Sequence, residues 1–454
     1  MITSASERTC RVAIIGAGLS GLSCAERLLA AGVEDIVVLE ARSRVGGRVD
    51  RIERGQAPHL EAGGEWISGP AAQLLAAAER HSIGLVKAPQ PAAGAQLVRI
   101  TDSGEVVREA HPFDSEPEVA AEAGRVCARL GELARGVDPD RPWDARDARL
   151  LDSQTLASWL TTATDDAVAA RAVAARFADH GGHAEEVSLL YLLWTIAAYG
   201  GIETWSQPPL RRLQGGTSEL ARRLASGVGD RVWLDHPVRR IARDGEGVRI
   251  ATDRGQLSAE LAVLALSPTL AARIDFEPSL PLLRDRLQHR WLQGHGAKFF
   301  AVYDTQWWRQ EGLSGDAIAV EPFPVITDAS VADREEGVLL AFVFGGAGQL
   351  PQFASLLDDR QAAERAFVAT LERCFGTRAG VGVSVYSRSW FGETWSHGCG
   401  TGTPPGLLSS VGGAIREPVG RLVWAGAEAA CKPHLEGAVS AGQTAAEQAL
   451  SLLG

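Results

Sequence analysis

The sequence predicts an α/β protein in which a doubly wound, Rossmann-like domain is interleaved with an α+β domain. A β-rich run at residues 11–15 leads into Gly16-x-Gly18-x-x-Gly21 and a helical pattern, and a second β run follows at 35–40. This order is the β-turn-α-β unit of a dinucleotide-binding fold. At 454 residues the chain is too long for one compact core, so we expect two domains.

The glycine motif and the acid that follows it indicate the kind of ligand. The glycines allow a tight turn and close approach of the backbone to a pyrophosphate at the helix N-terminus. Glu40 lies 22 positions after Gly18 and ends the second strand, where a carboxylate binds both ribose hydroxyls and disfavours a 2′-phosphate. The alternative is a purely structural glycine turn, which the flanking strands and the acid make the weaker interpretation.

The later elements follow in order along the chain. Helical patterns occur at 71–80 and through much of 117–200, where Ala, Leu and charged residues dominate. Residues 231–266 contain short β-prone runs separated by DG and RG turns, which predict a small antiparallel sheet or meander. A second β region spans about 296–345, and 438–453 predicts a closing helix with small residues along it.

Composition excludes several classes of protein. A net charge of −11 argues against a nucleic-acid binder, which would usually carry a basic face. The six cysteines are scattered without a CxxC pair, so we expect neither a disulfide framework nor a metal site. The N-terminal stretch has no apolar signal segment, and the apolar run 187–202 is shorter than a bilayer span of ~20 residues. We therefore expect a cytoplasmic protein that does not partner a membrane.

Three further segments carry candidate chemistry. Arg44 and Arg48 flank a glycine pair just after Glu40 and can donate charge-assisted bonds to a pyrophosphate. Lys298 lies in a predicted strand that is apolar on both faces, where a buried lysine is costly unless its charge or proton is used. The alternative for Lys298 is a side chain that extends out of the strand end to water.

The third segment is "SWFGETWSHGCGTGTPPG", residues 389–406, in which Cys399 lies among glycines. Glycines permit close approach of the backbone to a flat ring or a phosphate. Trp390 and Trp395 precede them and can either wall a ligand or pack in the core. On the residues alone, Cys399 is a loop thiol whose reactivity would need an electropositive neighbour.

These motifs together resemble the flavin-containing amine oxidases, the family of the monoamine and polyamine oxidases. The shared features are R-x-G-G-R at 44–48, the turn "EAGGEW" at 61–66, "RLQGGTSELARRLA" at 212–225, "DHPVRRI" at 235–241 and the closing signature at 421–446. The resemblance covers nearly the whole chain, although Glu61 replaces the family's usual aspartate.

The resemblance implies FAD as the cofactor and a set of residues around it. In monoamine oxidases a cysteine at the position of Cys399 carries FAD as a thioether, so the resemblance implies covalent attachment here. The implied cofactor-binding residues are Gly16, Gly18, Gly21, Glu40, Arg42, Arg44, Gly47, Arg48, Gly64, Glu65, Trp66, Val238, Trp390, Trp395, Cys399, Gly426, Glu428 and Ala438.

The substrate side departs from the family. Two tyrosines that enclose the amine in monoamine oxidases are replaced here by Gly400 and His434, while Tyr199 and Trp205 fall where relatives line the cavity. Glu65 would lie near the flavin ring, where an acid attracts an ammonium and repels a carboxylate. The expected substrate is a small-molecule amine without a free carboxylate.

The resemblance also implies a reaction and a domain plan. A hydride would pass from the carbon beside a neutral amine to flavin N5, the imine would hydrolyse, and O2 would reoxidise the flavin to give H2O2, with Lys298 as the catalytic residue at the N5 edge. The alternatives are a flavin-dependent desaturase or dehydrogenase of a larger metabolite, and a flavin-binding partner protein without turnover. A homodimer is one alternative for the oligomeric state.

The predicted FAD-binding domain is discontinuous and comprises residues 1–80, 211–285 and 395–454. The predicted substrate-binding domain comprises 81–210 and 286–394, with a helical insertion at about 113–205.

Overall fold

The computed structural model of the chain describes residues 8–178, 183–207, 211–331, 334–345, 350–430, 432 and 434–454. Its strands are β1 (Arg8–Ile15), β2 (Ile36–Leu39), β3 (Arg51–Arg54), β4 (Ala57–Glu61), β5 (Trp66–Ile67), β6 (Leu85–Lys87), β7 (Gln96–Ile100), β8 (Val106–Glu109), β9 (Arg211–Leu213), β10 (Val232–Trp233), β11 (Val238–Arg243), β12 (Val248–Thr252), β13 (Gly255–Leu264), β14 (Asp275–Glu277), β15 (Leu292–Tyr303), β16 (Leu313–Ile318), β17 (Val325–Asp328), β18 (Gly337–Gly345), β19 (Ser384–Ser389), β20 (Gly400–Gly402) and β21 (Leu422–Trp424).

Its α-helices are α1 (Leu19–Ala30), α2 (Ala72–Arg80), α3 (Pro117–Ala134), α4 (Ala148–Asp152), α5 (Leu156–Ala163), α6 (Ala167–Ala178), α7 (Leu189–Ala198), α8 (Ile202–Trp205), α9 (Thr217–Val228), α10 (Pro268–Ala271), α11 (Leu282–Arg290), α12 (Trp307–Gln310), α13 (Leu350–Asp358), α14 (Arg360–Phe375), α15 (Leu408–Val411) and α16 (His434–Leu453). Short 3-10 helices are Pro142–Asp144, Gly229–Arg231, Thr377–Gly380, Gly412–Ile415 and Ala427–Ala430.

The first sheet has the strand order β10-β2-β1-β13-β12-β11-β14, and β21 also pairs with β13. The pairs around β1 and β2 are parallel, whereas β11, β12 and β13 form an antiparallel meander. The meander expected at 231–266 is therefore present, but it is not a separate sheet. Because β13 pairs with β1 on its other edge, the meander extends the parallel sheet.

Helices α1, α9 and α16 cover one face of this sheet and pack closely at glycines. A side chain at Gly21 would place its Cβ 1.9 Å from the carbonyl oxygen of Gly16. A side chain at Gly442 in α16 would come within 2.1 Å of the carbonyl oxygen of Ser20 in α1. These two contacts hold α1 against the first turn and against the closing helix, which begins at His434, four residues before the predicted start.

The second sheet has the order β19-β15-β18-β17-β16-β7-β8, and β20 pairs with the start of β15. Along β15, Phe299 and Ala301 pack in one core cluster, and Phe300 and Val302 pack in another. This is the alternation that the sequence predicted for the strand of Lys298.

Helices α3 to α8 form a layer around a separate core that includes Leu130, Trp159 and most of α7. A separate small sheet has the strand order β5-β9-β6. Within the residues that the structure describes, no helix is both long enough and apolar enough to cross a membrane.

Candidate active site

A cavity of ≈ 1080 Å³ extends between the two sheets. One end is lined by the first turn after β1, and the other by β15 to β18 and the aromatic side chains of α7. Ligands of open α/β sheets bind at the carboxyl ends of the strands, where this cavity begins.

The first turn presents a cradle at one end of the cavity. Gly16 has φ +103, and a Cβ there would lie 2.8 Å from the carbonyl oxygen of Ala265, so only glycine fits. A Cβ on Gly18 would meet nothing closer than 3.9 Å, and Gly18 lines the cavity where α1 begins. Gly21 does not line the cavity and serves the packing of α1 instead.

Glu40 is buried at the end of β2 and points back toward this turn. Its carboxylate accepts hydrogen bonds from the backbone N–H groups of Ala17 (2.8 Å) and Arg42 (3.0 Å). The two bonds hold the carboxylate at the rim of the cradle, where a ribose would lie beside a pyrophosphate bound at the α1 N-terminus. Arg42 also pairs with Glu393, at 2.5 Å between Nη2 and Oε2.

The two arginines of the R-x-G-G-R motif have different positions. Arg44 does not line the cavity: its guanidinium donates to the carbonyl oxygens of Val45 and Gly47 and pairs with Asp50. Arg48 lines the cavity and pairs with Glu428 at 3.0 Å. The sequence predicted that both arginines bind the pyrophosphate, whereas in the structure Arg44 stabilises the loop through these contacts.

Residues at this end fit a flavin dinucleotide. Both carboxylate oxygens of Glu428 are buried, and within the described ranges they have the ion pair with Arg48 but no hydrogen bond. Such acceptors fit the hydroxyl groups of a bound ligand. The other predicted residues that line the same cavity are Gly47, Gly64, Glu65, Trp66, Val238, Trp390, Trp395, Cys399, Gly426 and Ala438.

Lys298 lies at the far end of the cavity in a buried ion-pair network. Its Nζ donates to the carbonyl oxygen of Glu61 at 3.0 Å and to Oε2 of Glu65 at 3.1 Å. The other oxygen of Glu65 accepts from Arg212 at 2.6 Å. Trp66 lies beneath the ammonium, 5.0 Å from Nζ to the ring centroid, and adds a cation–π contact.

This network changes the role expected for Glu65. The sequence suggested an acid free to attract a substrate ammonium, but two cations already balance the Glu65 carboxylate. Sequence reasoning missed Arg212, which is 147 positions from Glu65. The available signal was the short run "RRL" directly before "QGG", because this run forms β9, which pairs with β5 and brings Arg212 opposite Trp66.

Cys399 lies where β20 approaches β15. A Cβ added to Gly296 would lie 2.6 Å from Sγ of Cys399, so the missing side chain makes room for the thiol. Burial raises the pKa of the thiol, and the Gly400 backbone, Arg48 and Lys298 act against that rise. His397, the nearby base in sequence, contacts Arg273 and does not line the cavity.

The substrate end has walls that differ from the expected set. Gly400, Trp205 and His434 line the cavity, whereas Tyr199 lies behind His434 with its ring edge-on, 6.2 Å between centroids. Other aromatic lining residues were missed: Tyr191, Trp194, Trp291, Phe342 and Phe344. Tyr191 and Trp194 are one helical turn apart on α7, and that spacing is a sequence signal for a shared face.

His434 has an unusual backbone and a perturbed charge. Its φ of 64 is rare for a residue with a side chain. The residue lines the cavity and is exposed to solvent there. Desolvation by the surrounding cavity walls, with repulsion from Arg48, lowers the pKa of His434 to about 4, so the imidazole is neutral at pH 7.

The aromatic pair before Cys399 lies at the cavity wall. Trp390 is buried and donates from Nε1 to the carbonyl oxygen of Ala62 at 2.9 Å. Trp395 packs under Arg239, 5.1 Å from Cζ to the ring centroid. Within the described ranges, no group of three or more His, Cys, Asp or Glu side chains is placed to hold a metal ion.

The family model for flavin-containing amine oxidoreductases matches residues 19–450. The chain belongs to this family. The protein is therefore a flavin-containing amine oxidase, and FAD is its cofactor. Solved structures of related enzymes confirm the predicted fold class.

Several relatives match over almost their full length. A Mycobacterium tuberculosis protein named as a flavin-containing monoamine oxidase, AofH, is 33% identical over 98% of this chain and 97% of that protein. A Synechocystis L-amino acid dehydrogenase is 28% identical over 99% of this chain and 96% of its own length.

Solved structures of two further enzymes share the fold. Wild-type putrescine oxidase bound to putrescine has a TM-score of 0.90 at 28% identity and covers 98% of this chain and 99% of its own. Cyclohexylamine oxidase from Brevibacterium oxydans has a TM-score of 0.89 at 30% identity, with coverage of 98% and 99%. The domain boundaries, the cytoplasmic location, the homodimer and the roles of individual site residues stay predictions.

Proposed function

We propose that this enzyme oxidises a neutral amine to an imine, with O2 as the electron acceptor. The observation that carries the proposal is one cavity with a dinucleotide cradle at Gly16–Gly18 and a buried lysine, Lys298, at its other end. When bound, FAD supplies the hydride acceptor, and its reaction with O2 yields H2O2.

Three features of the chain would favour this reaction. The aromatic walls exclude water and so help to keep the amine unprotonated, because burial disfavours the charged form. His434 is neutral at pH 7 and adds no positive charge beside the amine. Lys298 is oriented by Glu65 and the Glu61 carbonyl, which would hold its ammonium, and a water bound to it, at the N5 edge.

We further propose that Cys399 attaches FAD covalently as a thioether. This bond would form with loss of the thiol hydrogen and of one hydrogen from the flavin 8-methyl group, and with O2 as the final acceptor of the two electrons. Support comes from the position of the thiol on the cavity wall beside Gly296 and near Arg48 and Lys298. A triple variant made to redesign cofactor binding in putrescine oxidase carries an introduced cysteine and, two positions on, an introduced threonine. This chain has Cys399 and Thr401 in the same spacing.

Acid precipitation tests the covalent bond. The yellow colour should stay with the precipitate of the parent protein and move to the supernatant for Cys399→Ser. Cys374→Ser is a matched control because Cys374 packs in a core cluster and does not line the cavity. Colour in the supernatant of the parent protein would exclude the bond.

Anaerobic titration with a panel of amines tests the reaction itself. The flavin absorbance should bleach with at least one amine, and admission of air should restore it with release of peroxide. Bleaching by another metabolite, with none by any amine, would overturn the proposal in favour of a desaturase. Absence of bleaching by every compound would favour a flavin-binding protein without turnover.

A second candidate is a dehydrogenase that uses an acceptor other than O2. The Synechocystis relative, named as an L-amino acid dehydrogenase, favours it. Oxygen consumption during amine turnover separates the two: rapid consumption supports the oxidase, and turnover that needs an added quinone or dye supports the dehydrogenase.

A further inference from the structure

The charges on the cavity wall differ in whether they are already paired. The carboxylates that line it are Glu40, Glu65, Asp316, Asp328 and Glu428. Arg42 lies 3.6 Å from Glu40, Arg309 lies 2.7 Å from Asp328, and the partners of Glu65 and Glu428 are described above. Among the described residues, Asp316 is the lining carboxylate for which the structure records no ion-pair partner.

Asp316 is fixed in place although no cationic side chain of the described residues pairs with it. Its Oδ1 accepts a hydrogen bond from the Thr327 hydroxyl at 2.7 Å, and the side chain is half-buried. Burial raises the pKa of the Asp316 carboxyl, and repulsion from Asp328 adds to that rise. A bound cation would offset both effects because an opposite charge favours the ionised carboxylate.

The floor between Lys298 and Asp316 is apolar. Lys298 pairs with Phe342 on β18, and Phe342 pairs with Val325 on β17, so these three form a row across the sheet. Thr327 lies two residues beyond Val325 on the same face and meets Asp316 on β16. All of these residues line the cavity.

The distance between Lys298 and Asp316 sets the length of a ligand that could reach both residues. Strands β15 and β16 are separated by β18 and β17, which makes three strand spacings, or about 14 Å between strand axes. A methylene chain over Phe342 and Val325 would bury apolar surface along this path.

We propose that Asp316 binds the second, distal ammonium of a long diamine or polyamine whose reacting amine lies beside Lys298. This inference rests on the amine oxidation proposed above and specifies its substrate class. The distal ammonium would form the ion pair that Asp316 lacks among the described residues. The apolar surface between Lys298 and Asp316 would favour ligands whose methylene chain spans that distance.

Steady-state kinetics with matched series of α,ω-diamines and alkylmonoamines tests the assignment. In the parent enzyme KM should be lowest for a diamine longer than diaminobutane. In Asp316→Asn the KM for that diamine should rise about tenfold to hundredfold relative to the monoamine of equal length, because a charge-assisted bond is lost. Asp304→Asn, at an exposed aspartate outside the cavity, is the matched control.

Two further measurements keep the test decisive. Asp316→Glu lengthens the side chain and should shift the preferred diamine to a shorter one, which a merely structural role would not do. Anaerobic calorimetric titration of the FAD-loaded protein measures diamine binding without turnover.

An equal KM ratio in parent and Asp316→Asn would overturn the role of Asp316 while amine oxidation stands. If no amine reduces the flavin, that result overturns the proposed amine oxidation and leaves the binding role of Asp316 to a separate measurement. Calorimetry then tests whether Asp316 binds the distal ammonium, and equal affinity for the diamine and the monoamine would overturn that role.

Discussion

At the residue scale, Lys298 is a lysine whose burial is unfavourable unless its charge is compensated and used. Its ammonium is buried in a strand that is apolar on both sides, and Glu65 and the Glu61 carbonyl compensate its charge. Truncation of one partner of a buried ion pair is strongly destabilising. A lysine kept there at such cost points to a use for its charge.

Lys298→Met is expected to slow reoxidation of the flavin by O2 about tenfold to hundredfold, because a preorganised charge at the reacting edge is lost. Anaerobic bleaching by the amine should proceed near the parent rate. Stopped-flow measurement of the two half-reactions separates these effects, and Lys87→Met, at an exposed lysine, is the control. Reoxidation at the parent rate would show that Lys298 has another role.

His434 gives a pH-dependent prediction whose sign follows from its depressed pKa. The folded protein holds this histidine at a pKa of about 4, while the unfolded chain has the usual value of about 6.5. Between these values the unfolded state binds more protons, so the contribution of His434 to stability is present above about pH 6.5 and is lost as pH falls toward about 4.

His434→Asn should therefore lose less stability than the parent protein when pH is lowered from about 7 to about 4.5. Asparagine tolerates the positive φ of this position, which limits the backbone strain of the variant. Urea unfolding at both pH values, with equal FAD loading, measures the difference. An identical loss in both proteins would contradict the assigned pKa.

At the element scale, the first unit of the fold depends on glycine contacts that bring α1 onto its strand and onto α16. Gly21→Ala would place a Cβ 1.9 Å from the Gly16 carbonyl oxygen, and the helix backbone must move to relieve the clash. The turn that would hold the pyrophosphate moves with it.

We expect Gly21→Ala to lower the flavin content of the purified protein severalfold and to lower its unfolding temperature. Gly227→Ala is the matched control because Gly227 also lies in a helix and a Cβ there meets nothing within 4 Å. That variant should be neutral or stabilised by up to about 1 kcal/mol, since alanine is the better helix former. Full flavin content in Gly21→Ala would show that the turn tolerates the shift.

Elements also show where sequence reasoning was incomplete. The meander at 231–266 was predicted from turn spacing, but its junction with the parallel sheet was not, because pairing between β13 and β1 joins segments far apart in the chain. The closing helix was predicted four residues too short, since His434 begins it with a positive φ that no propensity favours.

At the scale of the whole molecule, the cavity is walled by both sheets and by the helical layer, so a bound cofactor joins them. FAD should therefore stabilise the entire protein. In Cys399→Ser, where FAD would bind without the proposed thioether, a ligand present at a thousandfold excess over its Kd adds about 4 kcal/mol to the free energy of unfolding.

Apoprotein of Cys399→Ser produced under riboflavin limitation should unfold several degrees below the same variant loaded with FAD in differential scanning calorimetry. Riboflavin, which lacks the dinucleotide part, is the control ligand and should raise the unfolding temperature less because it leaves the cradle at Gly16–Gly18 empty. Equal stabilisation by both ligands would contradict the assignment of that cradle.

The sequence by itself determined the β-turn-α-β unit, the position of Glu40, the two faces of β15 and the family. These features rest on short spacings, in which local backbone preferences and side-chain alternation decide the outcome. The tertiary structure alone decided which charges meet. Arg212 and Lys298 reach Glu65 across 147 and 233 positions, and they balance the acid that the sequence had assigned to the substrate. Asp316 was identified instead, because only the packing of distant strands shows which carboxylate of the cavity wall has no cationic partner among the described residues.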